Sequence, residues 1–351
     1  MPQTESMVET ILEPDLPIVD PHHHLWDRPP PPPGPPPPRY AFENATRLKP
    51  RYLLDELVAD LGSGHNIQAT VYLECGSMYR ADGPELLRPV GETEFVRGVA
   101  AMTASGGYGP TKVAAGIVGH ADLFNQGERA AETLEAHLAA GGGRFRGIRQ
   151  TAPYDADPDV IGGRWRLGAG VYRADKFRQG FAALAPLGLS FDAWLFEPQL
   201  GDVVDLARAF PDTQIILDHV GTPLGVGVYT GRREERFPLW RDNIRALAQS
   251  PNVAVKLGGL AMSFPGFESF MSQPAASSEI LAAEWKPYIE TCIEAFGPDR
   301  CMFESNFPVD FGSCSYATLW NVFKRLAAGF SADEKTALFK GTACKVYRLN
   351  L

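Results

Sequence analysis

Short apolar segments rich in β-branched residues recur along the chain and alternate with stretches of helical spacing. The strand-like segments are residues 16–20, 68–74, 114–119, 145–149, 189–195, 213–218, 253–257 and 301–304. Helical spacing is found at 130–140, 176–187, 203–210, 239–248 and 280–296. Strands that alternate with helices predict a parallel sheet, and eight such units predict a closed, distorted (β/α)8 barrel of the α/β class.

We expect one domain that spans residues 1–351. A doubly wound open sheet is the alternative, and it is disfavoured because no Gly-X-Gly-X-X-Gly follows the first strand. Residues 28–39 contain nine prolines and predict a polyproline II insertion after that strand. This insertion is either a stiff rim at the mouth of the barrel, a mobile loop without a catalytic part, or a docking peptide for a proline-binding domain.

Composition narrows the class of protein. The chain has 351 residues and a net charge of −9, from 42 acidic and 33 basic residues. The acidic balance, without a long Lys/Arg cluster, argues against nucleic-acid binding, and no apolar run is long enough to cross a membrane. Five scattered cysteines and the lack of a signal-like segment favour the cytoplasm. We expect a small-molecule substrate, and a homodimer would be ordinary for this size.

Three consecutive histidines, His22, His23 and His24, follow the first strand-like segment. Side chains on an extended chain alternate faces, so His22 and His24 point the same way and His23 the other. Two imidazoles on one face can hold a divalent metal or orient a substrate carbonyl. Asp20 shares their parity and is expected to accept a ring N–H. A solvated turn or an expression tag is the alternative explanation of the triplet.

Other chemistry-bearing residues also fall at predicted strand ends, where barrel active sites form. His219 is a candidate metal ligand or proton shuttle, and Arg149 suits a substrate carboxylate or a developing oxyanion, unless it simply pairs with Glu74. Glu304 and Asp310 are candidates to activate water or to protonate a leaving oxygen. The remaining strand-end candidates are Glu74, Asn306 and Trp194 for substrate binding, together with His120, Asp192, Asp218 and Lys256.

Four motifs together resemble the amidohydrolase superfamily, in its amidohydrolase-2, lactonase-like branch. They are Ile-Val-Asp-Pro-His-His-His, Phe-Arg-Gly-Ile-Arg, Leu-Asp-His-Val-Gly and Met-Phe-Glu-Ser-Asn-Phe-Pro-Val-Asp, in that order from about residue 17 onward. The resemblance implies the same barrel, with His22 and His24 as its first-strand His-X-His and His219 as its sixth-strand histidine. It also implies that Arg149 contacts an anionic group of the substrate. Asn306 departs from the family, whose aspartate there acts as base and metal ligand, since an amide cannot be a general base.

The resemblance implies a hydrolase that opens a lactone of a small carboxylated or sugar-like substrate. One divalent metal, Zn or Mn, at His22, His24 and His219 is the expected cofactor, and metal-independent catalysis is the alternative. A binuclear site is not expected, since the fifth strand lacks a histidine and the fourth a lysine. Two other functions stay open: a decarboxylase or hydratase of unsaturated or aromatic acids, and a partner-dependent barrel whose hydrolase activity is altered or lost.

Overall fold

A computed structural model describes residues 9–29, 34–161 and 167–351 of the chain. Eight parallel strands form one sheet in chain order, and a helix follows each of them, so the predicted (β/α)8 barrel is confirmed. The strands are β1 (Ile18–His23), β2 (Ile67–Leu73), β3 (Lys112–Gly119), β4 (Phe145–Arg149), β5 (Ser190–Ala193), β6 (Ile215–Leu217), β7 (Val253–Leu257) and β8 (Cys301–Phe303). The helices after them are α1 (Leu54–Leu61), α2 (Val90–Ala104), α3 (Ala130–Ala140), α4 (Asp175–Phe181), α5 (Leu200–Ala209), α6 (Arg233–Ala248), α7 (Ser278–Phe296) and α8 (Tyr316–Leu326).

The barrel closes along a short seam between β1 and the chain that follows β8. The Asn306 amide donates to the His22 carbonyl, the His24 amide donates to the Phe307 carbonyl, and His23 and Phe307 form a parallel bridge. The seam therefore lies beside the histidine triplet and closes the cylinder at the level of the candidate site.

The first strand differs from its prediction. β1 runs from Ile18 through His23, later than the predicted segment 16–20, because Asp20 and His23 still pair with β2. Two of the three histidines therefore lie within the strand. Three helices, α1, α2 and α8, were not among those predicted, whereas α3 matches its predicted bounds.

Two apolar layers hold the barrel. The larger one packs the outer face of the strands against the helices. The smaller one fills the interior with residues such as Val71, Ile216 and Met302, and the helix Thr342–Val346 with Tyr347 packs against them. The segment around Tyr347 therefore closes the interior from the end opposite the strands' carboxyl ends.

The insertion after β1 folds over the mouth of the barrel in its described part, while residues 30–33 of the proline run lie outside the described residues. Trp26–Asp27 pairs antiparallel with Arg51–Tyr52, and the Arg39 guanidinium donates to the Phe270 carbonyl. Of the alternatives for the insertion, the rim at the mouth of the barrel is the one that describes the position of this part. The short helices are Glu43–Leu48 on this rim, Leu123–Gln126, Pro158–Ile161, Ala332–Thr336 and Thr342–Val346.

All five cysteines lie in the described residues and are unpaired. Among the described helices, none is both long enough and apolar enough to cross a bilayer.

Candidate active site

A cavity of about 320 Å³ opens at the carboxyl ends of the strands. This volume suits a small ligand. Four of the predicted residues line it, His24, Glu74, Arg149 and Trp194. Rim residues also line it, among them Trp26, Arg28, Phe42 and Thr46.

His22 and His24 present bare ring nitrogens to each other. The His24 Nδ1 lies 2.9 Å from the Leu73 carbonyl, which can only accept, so the proton is on Nδ1. The His22 Nε2 lies 3.4 Å from the Arg149 Nη1, which can only donate, so the proton of the neutral ring is on Nδ1, which lies 2.6 Å from Glu304 Oε2 and 3.1 Å from the Lys256 Nζ. Both Nε2 atoms then lack a proton, and they are 3.2 Å apart. Burial, followed by Lys256 for His22 and Arg149 for His24, lowers the pKa of both imidazoles well below 6.5, so both are neutral near pH 7.

Glu304 lies beneath the histidines and joins two of them. Its Oε1 accepts from the His219 Nδ1 at 2.6 Å, its Oε2 lies 2.6 Å from the His22 Nδ1 without hydrogen-bond geometry, and the side chain is fully buried. A carboxylate that holds the inner nitrogen of an imidazole, as Glu304 holds that of His219, fixes its tautomer and leaves the outer nitrogen basic. Glu304 does not line the cavity, so its contacts differ from those of the predicted water-activating residue.

His219 stands on a strained turn after β6. His219, Val220 and Thr222 have φ of 56°, 48° and 43°, a left-handed backbone that side chains rarely adopt. Such strain costs about 1–3 kcal/mol per residue and clusters at functional sites. Gly259 makes room for this turn, since a Cβ there would overlap the His219 side chain. The turn therefore holds His219 beside Glu304 at a cost in stability.

Arg149 is held by two carboxylates. Its Nε lies 2.7 Å from Glu74 Oε1, its Nη2 donates to the Glu74 carbonyl, and its Nη1 lies 3.3 Å from Asp218 Oδ2. The same Nη1 is 3.4 Å from the His22 Nε2. The ion pair with Glu74, the alternative for this arginine, is therefore present, and Glu74 anchors Arg149 at the cavity wall.

A buried charge cluster forms the floor. The Lys256 Nζ lies 2.7 Å from Asp192 Oδ1 and 3.0 Å from Asp218 Oδ1, and Tyr347 donates its hydroxyl to Asp192 at 2.6 Å. Burial raises the pKa of Asp192 to about 6. Burial also acts to raise the pKa of Asp218, but Lys256, His219 and Arg149 outweigh it and hold that pKa below 3.8. Asp218 therefore stays a carboxylate beside His22 and His219.

Asn306 and Asp310 form a pair at the end of the seam. The Asn306 Nδ2 donates to Asp310 Oδ1 at 2.8 Å, which turns its Oδ1 to within 3.3 Å of the His24 Nε2. Asp310 is fully buried, and burial raises its pKa well above 3.8. The predicted role of Asp310 in activating water does not match these contacts, because it touches Asn306 and lies outside the cavity wall.

Three further predicted residues have structural partners. His23 contacts Thr70 and Tyr72 between β1 and β2, as its opposite parity predicts. The expectation for Asp20 is wrong: it accepts from the Ser305 amide and the Tyr316 hydroxyl, not from a ring nitrogen. Trp194 lines the cavity and donates its Nε1 to the Thr222 hydroxyl.

The residues at the histidines fit a divalent metal. The Nε2 atoms of His22 and His24 and the Asn306 Oδ1 all lack protons and converge, which is unfavourable unless a cation or a proton lies among them. Two nitrogen ligands of tetrahedral zinc lie roughly 3.3 Å apart, close to the 3.2 Å here. His22, Asp218 and His219 also form a buried group whose ligand atoms lie within 4.8 Å of one another.

Net charge also favours a cation. Four carboxylates, Glu74, Asp192, Asp218 and Glu304, surround two permanent cations, Lys256 and Arg149. The donor set, two imidazoles plus oxygens, is one that zinc accepts. The expected ligands His22 and His219 thus belong, with Asp218, to a buried group that could hold a metal ion, and His24 faces His22.

The sequence assigned no role to several residues of this site. Asp192, Asp218 and Lys256 were noted at strand ends without a role, since spacing alone does not show that they form one cluster. Tyr347 follows a helix outside the eight repeats. Arg28, Phe42 and Thr46 flank or follow the proline run, where the sequence shows no strand pattern. Position at a predicted strand end was thus the sequence signal for Asp192, Asp218 and Lys256, whereas the rim residues had no such signal.

Sequence comparison identifies relatives along nearly the whole chain. The sequence model of the amidohydrolase family, Amidohydro_2, matches residues 19–349. The uncharacterized protein y4mH of Sinorhizobium fredii is 36% identical over 339 residues, 95% of this chain and 99% of that protein. An L-fucono-1,5-lactonase of Burkholderia multivorans is 29% identical over 301 residues, 82% of this chain and 90% of that enzyme.

Solved structures share the fold. An amidohydrolase of Burkholderia multivorans with bound zinc superposes with a TM-score of 0.68 at 24% identity, covering 95% of this chain and 99% of that one. A 5-carboxyvanillate decarboxylase of Sphingomonas paucimobilis gives 0.52 at 14% identity, over 87% and 86% of the two chains. With the family match over residues 19–349 and the 36% identical relative, the chain belongs to the amidohydrolase-2 family.

Proposed function

We propose that this protein hydrolyses a lactone to its hydroxy acid. The observation that carries the proposal is the pair of unprotonated Nε2 atoms of His22 and His24, 3.2 Å apart at the cavity, beside the Arg149 guanidinium. Ester hydrolysis needs a proton acceptor for water and a positive charge for the developing oxyanion, and both are present. The relatives named L-fucono-1,5-lactonase support the same reaction class.

The chain's own groups account for the proton movements. Water donates a proton to the bare nitrogens, where it can be shared between the two Nε2 atoms, and its oxygen adds to the lactone carbonyl. The Arg149 guanidinium, whose Nη1 lies 3.4 Å from the His22 Nε2, supplies positive charge beside the oxyanion that forms. The carbon–oxygen bond of the ring then breaks, and the ring oxygen takes the proton back from the imidazoles.

A divalent ion held by His22, Asp218 and His219 would supply Lewis acidity and a more acidic water. Glu304 has the same task with or without it, since it keeps the Nδ1 proton of His219 pointing inward and lies against the His22 Nδ1. Glu74 and Asp218 keep the Arg149 guanidinium in position.

This arrangement favours hydrolysis over decarboxylation. Decarboxylation leaves a carbanion that must receive a proton from the site, whereas the outer nitrogens of His22 and His24 carry none and their pKa values are lowered. Carbon dioxide release from aromatic acids, with no lactone turnover, would contradict the proposal.

The test is acid release from a panel of 1,4- and 1,5-lactones of sugar acids and of lactones that bear a carboxylate. His24→Asn should lower kcat by about 10²-fold or more, because the proton acceptor is lost. His120→Asn is the matched control, since His120 is also at a strand end but does not line the cavity, and it should stay within a few-fold of wild type. Equal losses in both variants would assign the decrease to folding and not to chemistry.

A further inference from the structure

The cavity holds two guanidinium groups, and only one of them is neutralised. Arg149 contacts the carboxylates of Glu74 and Asp218. Arg28 also lines the cavity, but within the described residues no carboxylate lies within ion-pair distance of it. A partly buried cation without a counter-charge is costly unless a ligand supplies that charge.

The Arg28 side chain is held in place. One Nη2 proton is donated to the Cys75 carbonyl at 2.8 Å, and the guanidinium carbon lies 5.1 Å from the centre of the Trp26 ring. Its backbone amide donates to the Pro50 carbonyl, directly after the pairing of Trp26–Asp27 with Arg51–Tyr52. A stacked guanidinium on an ordered backbone is pre-organised, so little entropy is lost when it binds a carboxylate.

Most of the donors of Arg28 are also unused. The guanidinium has five N–H groups, and the Cys75 carbonyl takes one of them, while Nε is buried without a partner. Arg149 has the opposite balance, since Glu74, Asp218 and His22 take donors from all three of its nitrogens. Charge that a ligand brings into this cavity would therefore be compensated at Arg28.

We propose that Arg28 is the anion anchor of this cavity and that the substrate is a lactone that carries a free carboxylate. The identification of the substrate as a lactone rests on the proposed function, whereas the anchor itself concerns binding alone. It places the substrate anion at Arg28, where the sequence offered Arg149 for a substrate carboxylate or a developing oxyanion, and it keeps Arg149 beside His22 for the oxyanion.

The experiment compares two non-reacting probes, cyclopentanecarboxylate and cyclopentanecarboxamide, by calorimetry on the full chain. Wild type should prefer the acid by about 10- to 100-fold, as expected for a charge-assisted hydrogen bond, and this preference corresponds to about 1.4–2.7 kcal/mol. Arg28→Gln should remove most of that preference, and Arg28→Lys, which keeps the charge but loses the fork, should retain part of it. Arg129→Gln makes the same charge change at an exposed site and should keep the wild-type preference.

Lactone turnover distinguishes failure of the anchor from failure of the proposed function. If wild type binds both probes equally or neither, or if Arg28→Gln keeps the full preference, the anchor is wrong even if lactones are hydrolysed. If no lactone is hydrolysed but the acid preference depends on Arg28, the anchor stands and the proposed reaction falls. Retained probe preference in Arg28→Lys shows that a loss in Arg28→Gln is not a folding defect.

Discussion

At the scale of single residues, Glu304 determines the protonation of the site. One carboxylate accepts from the His219 Nδ1 and lies 2.6 Å from the His22 Nδ1, so a change of its chemistry alters two imidazoles at once. In Glu304→Gln the amide nitrogen must donate to one of these rings. That ring then has to carry its proton on Nε2, where a bare nitrogen is needed.

We therefore expect Glu304→Gln to lower kcat/KM for the lactone by about 10²-fold. Asp310→Asn makes the same carboxylate-to-amide change in a buried residue that contacts Asn306 and no imidazole, and its effect should be within about tenfold. Steady-state kinetics on both variants measures this, with circular dichroism to verify the fold. A larger loss in Asp310→Asn would return the water-activating role to Asp310.

Glu92 makes stability depend on pH. It is fully buried in α2 and accepts from the Tyr72 hydroxyl and from the amides of Cys75 and Ser77, so it holds part of the cavity wall. Burial, followed by the charge of Glu74, raises the pKa of Glu92 to about 7. The folded state thus binds this proton more tightly than the unfolded state does, and stability falls as the pH rises from about 4.5 to 7.

Glu92→Gln mimics the protonated acid and should lack this dependence. A shift from 4.5 to about 7 corresponds to about 3 kcal/mol. Urea unfolding at pH 5 and pH 8 should show the free energy of unfolding of wild type falling by this order relative to the variant. Parallel pH dependence of the two proteins would mean that Glu92 is ionised throughout.

At the scale of elements, the strand repeats were predictable from sequence and the seam was not. Alternation of apolar segments with helical spacing is enough for a (β/α)8 barrel, and the parity of His22, His23 and His24 places them correctly. The same rule cannot be used for Glu304 and Asn306, although they are two residues apart. β8 ends at Phe303 and Asn306 has a φ of 53°, so the period of two no longer applies there.

The helix Thr342–Val346 lies outside the eight repeats, yet the residue after it completes the floor. Tyr347 packs among the interior side chains and donates to Asp192, which in turn holds Lys256. No sequence pattern links residues 155 positions apart, so this contact could not be predicted.

Tyr347→Phe should lower the free energy of unfolding by about 1–2 kcal/mol, because a buried charge-assisted hydrogen bond is lost while the ring still packs. Tyr229→Phe is the matched control, since Tyr229 also donates to an aspartate, Asp155, but from a partly exposed position. Its loss should be below about 0.5 kcal/mol. Chemical denaturation measures both, and equal losses would assign no special stability to the floor.

At the scale of the whole molecule, we propose that the chain folds as one domain over residues 1–351. The sheet joins strands from both ends of the described chain, so neither half can keep its interior covered alone. Tryptophan fluorescence, circular dichroism and lactone turnover should therefore be lost at the same denaturant concentration. Two separated transitions would show that part of the barrel folds independently.

Metal binding should be visible in the same global transition. Zinc at 100 times its dissociation constant would stabilise the folded state by about 2.7 kcal/mol, and the thermal midpoint should rise accordingly. Replacing His22, which belongs to the buried ligand group, in His22→Gln, should remove most of that rise and lower the bound zinc measured by elemental analysis. An equal rise in the variant would place zinc elsewhere in the chain.

The seam between β1 and the segment after β8 lies at the candidate site, so a ligand bound there can affect how firmly the barrel is closed. Its hydrogen bonds run between His22–His24 and residues 305–307, the same stretches that carry His24 and Asn306. A ligand that touches both side chains would span the line along which the cylinder is least securely paired. Occupancy of the cavity should therefore slow amide hydrogen exchange along this line more than on the opposite strands β4 and β5. The bound substrate would then itself help to hold the barrel closed.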